Sequence, residues 1–103
     1  MPRVIAEITV APRIPTAGGT SYYVAGVEKV LRSHNLKVML TPMSTIVEGE
    51  LDEVLAAVRE AHEAPFEKGV QRVYTTLRID DRRDKELTMD GKMKAVEEKL
   101  AQQ

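Results

Sequence analysis

The stretch LKVMLTPMSTIVEG, residues 36–49, decides the fold because it contains two strands joined by a very short connection. Its first half places apolar side chains at every second residue, and this period of two is typical of a half-buried strand. Pro42 ends that strand, since proline cannot donate a hydrogen bond within a central ladder. A further strand follows over 45–49. We therefore expect a tight hairpin, and its hydroxyls and carboxylate stand where a plain core strand would carry Val or Leu.

Helices and strands alternate on both sides of this hairpin. In chain order the flanking predictions are a strand over 3–11, a helix from Thr20 or Ser21 to about His34, a helix from Leu51 that ends before Pro65, a strand over 70–80 and a short helix from about Asp90. The order β-α-β-β-α-β with right-handed crossovers predicts a ferredoxin-like α+β sandwich with both main helices on one face of a four-stranded sheet. Strands 1 and 3 would be central, and residues 1–103 would form one domain.

The sheet face that two helices cannot cover is expected to carry apolar side chains among its threonines. An exposed apolar patch suggests an interaction surface, so we expect two copies of the chain to pack through this face in a dimer or tetramer. A solvated face with incidental apolar residues is the alternative. The apolar seam of the last helix has no room in a two-layer core and could pack on a neighbouring copy. The predicted members of this open face are Ile5, Glu7, Thr9, Lys37, Met39, Thr41, Arg72, Tyr74, Thr76 and Arg78.

Composition excludes several classes of function. The net charge of -1 gives no basic field for nucleic acid and no polybasic patch for a membrane. The chain has no cysteine, which excludes disulfides and thiolate metal sites. His34 and His62 lie far apart in sequence without clustered acids, so no metal site is expected. No long apolar run or leader opens the chain, and a cytoplasmic location is therefore expected.

Three segments are the most distinctive: residues 40–49, residues 62–69 (HEAPFEKG) and residues 79–85 (IDDRRDK). With them the chain resembles the family of small thiamine-binding proteins, whose members are ferredoxin-like and oligomeric. The resemblance runs from the first strand to the last helix. It implies that thiamine or its hydroxymethylpyrimidine part binds in pockets at subunit contacts, without catalysis and without a cofactor. Family members commonly carry glycine where this chain has Ser44, which adds a hydroxyl to the turn.

Thiamine combines an aminopyrimidine with a cationic thiazolium, so its pocket needs an acceptor, hydroxyls, and an aromatic ring or an anion. Glu48 could accept a charge-assisted bond from the amino group, or it could simply reach water or an arginine such as Arg78. Tyr22 or Tyr23 could stack on a ring of the ligand. The hydroxyl candidates are Thr9, Thr41, Ser44, Thr45 and Thr75, although strand propensity alone also explains threonines.

The start of the first helix offers a candidate anion site. The segment Gly18-Gly19-Thr20-Ser21 could bind an anion on free backbone N–H groups, which would favour a phosphorylated ligand. A plain loop that ends in a helix cap explains the same residues.

Other functions of this fold are also considered. A hydrolase like the acylphosphatases needs an arginine after strand 1, which Arg13 supplies, and a water-positioning asparagine, but Asn35 lies at the far end of the first helix. RNA binding would need aromatic residues on the two central strands, where none occurs. A ligand-sensing or purely structural oligomer stays as the alternative, and a titration with thiamine would separate the two.

Overall fold

The computed structural model describes residues 2–14 and 20–103. Its elements are β1 (Arg3–Pro12), α1 (Ser21–Arg32), β2 (Lys37–Leu40), β3 (Thr45–Glu50), α2 (Leu51–Glu67), β4 (Val73–Asp80) and α3 (Met89–Ala101). The four-stranded sheet has the order β2-β3-β1-β4, and every neighbouring pair is antiparallel. Helices α1 and α2 pack together on one face. The predicted ferredoxin-like α+β sandwich, with strands 1 and 3 central, is confirmed.

The hydrophobic core lies between the sheet and the two helices. Every second residue of β1 enters it, as the period of two predicted, and burial of each Val or Ile side chain among them is worth about 1.5–3 kcal/mol. Short side chains on α2 allow that helix to lie close to the strands. The core members are Val4, Ala6, Ile8 and Val10 of β1, Val27 and Leu31 of α1, Val47 of β3, and Val54, Ala57, Val58 and Ala61 of α2.

Helix α2 continues two residues beyond Pro65, so the prediction that it ends before this proline is wrong. Proline lacks a backbone N–H and so removes one helical hydrogen bond, but its carbonyl can still accept hydrogen bonds from residues that follow it in the last turn. The carbonyl of Pro65 accepts from the backbone N of Lys68 at 3.0 Å and of Val70 at 3.2 Å. Gly69, with φ of 90°, then reverses the chain. Strand β4 begins only at Val73, later than the predicted residue 70.

The start of α3 lies on the open face, which the sequence predicted to be uncovered. Glu48, paired in register with Ile5, uses Oε1 to accept a 2.6 Å hydrogen bond from the backbone N of Met89. Ile5 and Met89 are both buried. Lysine–aspartate pairs anchor the same turn at its sides, namely Lys37 with Asp90 and Lys92 with Asp80.

Beyond its first turn α3 is exposed along its length. The predicted apolar seam is therefore uncovered, and its members Met93, Val96 and Leu100 are each more than half exposed, at 57%, 58% and 62%. Met39 and Tyr74 of the open face are also exposed. Apolar surface thus remains on both α3 and the open face.

Candidate functional site

A cavity of about 120 Å³ lies between α1, the second half of β1 and the hairpin of β2 and β3. We call it the hairpin cavity. Helix α1 and β1 supply apolar side chains and one carboxylate, and the hairpin supplies hydroxyls. Its lining residues are Ile8, Thr9, Val10, Val24, Val27, Glu28, Leu40, Thr41, Pro42, Met43, Ser44 and Thr45.

The turn between β2 and β3 is fixed by one hydroxyl. Thr41 Oγ1 donates to the carbonyl of Ser44 at 2.7 Å and accepts from the backbone N of Met43 at 3.3 Å and of Ser44 at 3.1 Å. Pro42 follows Thr41 and presets the backbone angle that the turn requires. The Ser44 hydroxyl donates to Glu7 at 2.9 Å. The turn at the rim of the cavity is therefore held by its own hydrogen bonds, while Met43 is 85% exposed.

A buried carboxylate stands in the wall of the cavity. Glu28 is only 8% exposed, and its Oε2 accepts a 2.6 Å hydrogen bond from the hydroxyl of buried Thr45. Its Oε1 accepts from Arg32, one helical turn further along α1, at 3.3 Å. A buried carboxylate is tolerated only when it is hydrogen-bonded or paired. Two oxygens offer about four acceptor positions, so Glu28 retains the capacity to accept from a donor in the cavity.

Sequence reasoning missed Glu28, although the chain carries a signal for it. Glu28 lies four residues after Val24 and three before Leu31, so it occupies the apolar stripe of α1 rather than its polar face. A charged residue inside such a stripe is seldom fully buried unless it is paired. From its place in the apolar stripe, Glu28 could have been predicted to lie between α1 and the sheet.

The structure brings four of the eight predicted site residues together. Thr9, Thr41, Ser44 and Thr45 all line the hairpin cavity. They come from two strands and a turn, and the antiparallel pairing of β1 with β3, which sets Ile8 opposite Thr45, brings them to the same end of the sheet.

The other four predicted residues lie elsewhere. Glu48 is on the open face, where it is bonded to Met89 and, at 3.3 Å, to Arg3 rather than to Arg78. The hydroxyl of Thr75 lies 2.6 Å from Nδ1 of His62 on α2.

Ser21 is exposed at the first residue of α1, and Tyr23 lines a different cavity. Thr20 is in the N-cap position, but its side chain makes no capping bond to a described residue. Gly18 and Gly19 of the predicted anion site are outside the described residues.

The sharpest electrostatic feature is at the far end of α1. His34 is bonded to Glu60 through Nε2 at 2.6 Å and to Glu53 through Nδ1 at 2.9 Å. These two hydrogen bonds, that of Glu60 first, raise the pKa of His34 above its ordinary 6.5. The bond to His34 and one from the backbone of Asn35 lower the pKa of Glu53. These hydrogen bonds connect the residues that follow α1 to helix α2, and none of the three side chains lines the hairpin cavity.

Metal-binding groups and membrane-spanning helices were sought among residues 2–14 and 20–103. No group of three or more His, Cys, Asp or Glu side chains in these ranges is placed to hold a metal ion. The helices formed by these residues are all too short or too polar to cross a membrane.

The chain matches the sequence model of a family described as thiamine-binding protein over residues 6–97. The chain belongs to the thiamine-binding protein family. Relatives of this family member include the UPF0045 protein YqgV of Bacillus subtilis, 44% identical with 93% of this chain and 96% of the relative covered. A UPF0045 protein of Methanothermobacter thermautotrophicus is 42% identical over 94% of this chain and 99% of its own length.

Solved structures agree with this family assignment. A crystal structure of the hypothetical protein MJ1052 of Methanocaldococcus jannaschii has a TM-score of 0.85 and 41% identity, covering 95% of this chain and 99% of the other. A candidate thiamine biosynthesis/salvage protein of Thermotoga maritima has a TM-score of 0.77 and 25% identity, covering 92% and 99%. The resemblance to thiamine-binding proteins predicted from residues 40–49, 62–69 and 79–85 is thereby confirmed.

Proposed function

We propose that this chain binds thiamine without transforming it, with the pyrimidine ring in the hairpin cavity. The observation that carries the proposal is the buried carboxylate of Glu28 in an otherwise apolar and hydroxyl-bearing wall. A carboxylate accepts strongly from an amino group, and such charge-assisted bonds are about twice as strong as neutral ones. The 4-amino group of the pyrimidine is the donor that would reach Glu28.

The volume of the cavity favours one ring rather than the whole vitamin. Small-molecule pockets usually measure about 300–1,000 Å³, whereas the hairpin cavity measures about 120 Å³. An engineered apolar cavity of about 150 Å³ in another protein accepts benzene. One six-membered ring therefore suits the hairpin cavity, and the thiazolium would lie outside, near exposed Met43.

Hydroxyls and apolar side chains would make the remaining contacts to the pyrimidine ring. Thr9 lines the cavity edge, but its side chain belongs to the open face, so the hydroxyl beside Glu28 is that of Thr45. Val24 and Val27 offer apolar surface for the ring faces. The lining contains one carboxylate and no histidine or lysine, so it lacks the acid–base pair that most hydrolytic or transfer chemistry requires. Binding without conversion is the function that this set of side chains supports best.

We also propose that the binding unit is a homo-oligomer. A ligand with one ring inside the cavity leaves its second ring exposed, and a neighbouring copy would cover it. Exposed Met39 on the open face and the seam of α3 provide apolar surface for such a contact. The pocket would then be completed at a subunit contact. The expected cytoplasmic location stays a prediction.

Parallel calorimetric titrations test this function. The ligands are thiamine, hydroxymethylpyrimidine, the isolated thiazole alcohol and a panel of amino acids. We expect saturable binding of thiamine and of hydroxymethylpyrimidine, and none of the thiazole or the amino acids. Mass spectrometry after incubation should return thiamine unchanged. Binding of an amino acid in place of thiamine would favour the ligand-sensing alternative, and a converted product would contradict a purely binding role.

A further inference from the structure

A second cavity, of about 540 Å³, lies between the end of β1, the start of α1 and the connection from α2 to β4. Its lining includes three cationic side chains, those of Arg13, Lys68 and Arg72, and no carboxylate. We call it the basic cavity. We propose that the basic cavity binds a phosphate group.

The three cations have no counter-charge in contact with them in the part of the chain that the structure describes. None of them forms an ion pair with a carboxylate among residues 2–14 and 20–103. Seven other cations of the described residues are paired, whereas Lys29, Arg59, Lys85, Lys94 and Lys99 are not, so the basic cavity is distinguished by the grouping of three unpaired cations around one cavity. The paired arginines are Arg3, Arg32, Arg78, Arg82 and Arg83.

Aromatic rings hold these cations in place. The guanidinium of Arg13 lies 4.6 Å from the ring centre of Tyr74, and that of Arg72 lies 4.8 Å from the same centre. The ammonium of Lys68 lies 4.3 Å from the ring centre of Tyr22. A cation–π contact itself uses no N–H donor. Nη2 of Arg72 also donates a hydrogen bond to the hydroxyl of Tyr74, so only the remaining N–H groups of Arg72 are available to an anion. Two like charges on one ring also repel each other, and a bound anion offsets that repulsion.

The backbone around the basic cavity is equally fixed. The backbone N of Arg13 donates to the carbonyl of Arg72 at 2.8 Å, so the two segments run side by side. The ammonium of Lys68 lies against α1, where a Cβ built on Gly26 would be 2.8 Å from it. Groups already held in place lose little conformational entropy when they bind. The basic cavity is therefore prepared for its ligand.

Phosphate is the anion that this set of donors matches. The guanidinium of Arg13 can offer two parallel N–H groups to a pair of phosphate oxygens, Arg72 can offer the N–H groups that its bond to Tyr74 leaves free, and the ammonium of Lys68 adds a point charge. The phosphate could be free inorganic phosphate or the phosphate of a phosphorylated ligand such as thiamine diphosphate. The second source rests on the proposed function, whereas the first does not.

The test is a calorimetric titration with inorganic phosphate, repeated with thiamine and thiamine diphosphate. The double variant Arg13→Gln/Arg72→Gln removes two charges from the basic cavity. Lys94→Gln/Lys99→Gln removes the same charge from exposed positions of α3 and serves as control. Loss of two charge-assisted bonds should weaken phosphate binding by about tenfold or more, while the control should bind like the wild type. Equal thermal unfolding midpoints would confirm that all variants are folded.

Each outcome decides the proposal. Binding of inorganic phosphate that is lost only in the arginine variant supports a site for free phosphate. A preference for thiamine diphosphate over thiamine that disappears only in the arginine variant supports a phosphorylated ligand. The proposal is overturned if neither phosphate nor the diphosphate shows such binding. It is also overturned if the lysine control loses as much as the arginine variant, because general electrostatic attraction would then explain the result.

Discussion

The hydroxyl of Thr45 donates a 2.6 Å hydrogen bond to Oε2 of Glu28, and this bond joins the β2–β3 hairpin to helix α1 beside the hairpin cavity. Both residues are buried, at 6% and 8% exposure. The bond orients a carboxylate that the apolar stripe of α1 would otherwise exclude. It therefore serves both the fold and the candidate site.

Replacing Thr45 by valine should lower the free energy of unfolding. The change keeps the shape of the side chain but leaves buried Glu28 with Arg32 as its one partner, and an unsatisfied buried acceptor costs about 1–3 kcal/mol. Urea denaturation measures the difference. Thr76→Val is the matched control, because Thr76 is an exposed residue of β4. Equal effects of the two substitutions would show that the bond to Glu28 adds nothing to stability.

Replacing Glu48 by alanine should loosen α3 more than the rest of the domain. Glu48 Oε1 accepts the backbone N–H of buried Met89, and loss of such an acceptor costs about 1–3 kcal/mol. Amide hydrogen exchange should accelerate at Met89 and spare the core strand β1. The control is Glu97→Ala, an exposed position of α3. Unchanged exchange at Met89 in the Glu48 variant would contradict this anchoring role.

The His34 cluster should make the free energy of unfolding fall as pH rises above 6.5, the ordinary pKa of histidine. The pKa of His34 is raised in the folded protein by Glu60 and Glu53. Its contribution is therefore complete below the ordinary value of 6.5 and is lost as pH rises through the higher folded pKa. The lowered pKa of Glu53 acts in the opposite range, so its contribution is present above 4.5 and is lost as pH falls through the folded value.

Thermal unfolding of the wild type and of His34→Gln between pH 5 and pH 9 measures this effect. The difference in unfolding midpoint between the two proteins should be largest below pH 6.5 and should narrow as pH rises above it. His62→Gln is the control, because His62 contacts Thr75 and no carboxylate. A difference in unfolding midpoint that does not change with pH would rule out a stabilising ion pair between protonated His34 and the glutamates of α2.

A charge on the open face should dissociate the proposed oligomer. Met39→Glu places a carboxylate within the exposed apolar patch, and burying it between two copies would be costly. Light scattering after size-exclusion chromatography should show a smaller mass for this variant. Leu55→Glu changes a similarly exposed residue of α2, 44% against 41% for Met39, and should keep the wild-type mass. A monomeric wild type, or equal masses for both variants and the wild type, would refute assembly through the open face.

The alternation of apolar residues in β1 and in residues 36–49 was enough to predict the sheet, because burial on one face imposes a period of two. The hairpin hydroxyls Thr41, Ser44 and Thr45 were found for the same reason: polar groups in an apolar strand demand partners. Glu28 was missed because its burial depends on Thr45, which is distant in sequence. The ligand contact predicted for Glu48 stays a prediction, and its bond to Met89 was not foreseen because the sequence does not show that α3 returns to the open face.

Glu28 and Glu48 are almost equally buried, at 8% and 7% exposure. Glu28 lines the hairpin cavity, whereas Glu48 is the carboxylate that the sequence predicted as a ligand contact, so variants of the two distinguish the two placements of the ligand. The most direct test of thiamine binding in the hairpin cavity is therefore the calorimetric titration of Glu28→Gln and Glu48→Gln with thiamine. Loss of a charge-assisted bond worth about 1.5–3 kcal/mol should weaken binding by Glu28→Gln roughly tenfold or more, whereas Glu48→Gln should bind within about twofold of the wild type, a difference below about 0.5 kcal/mol. Wild-type affinity in Glu28→Gln, or a loss confined to Glu48→Gln, would contradict the assignment of the ligand to the hairpin cavity.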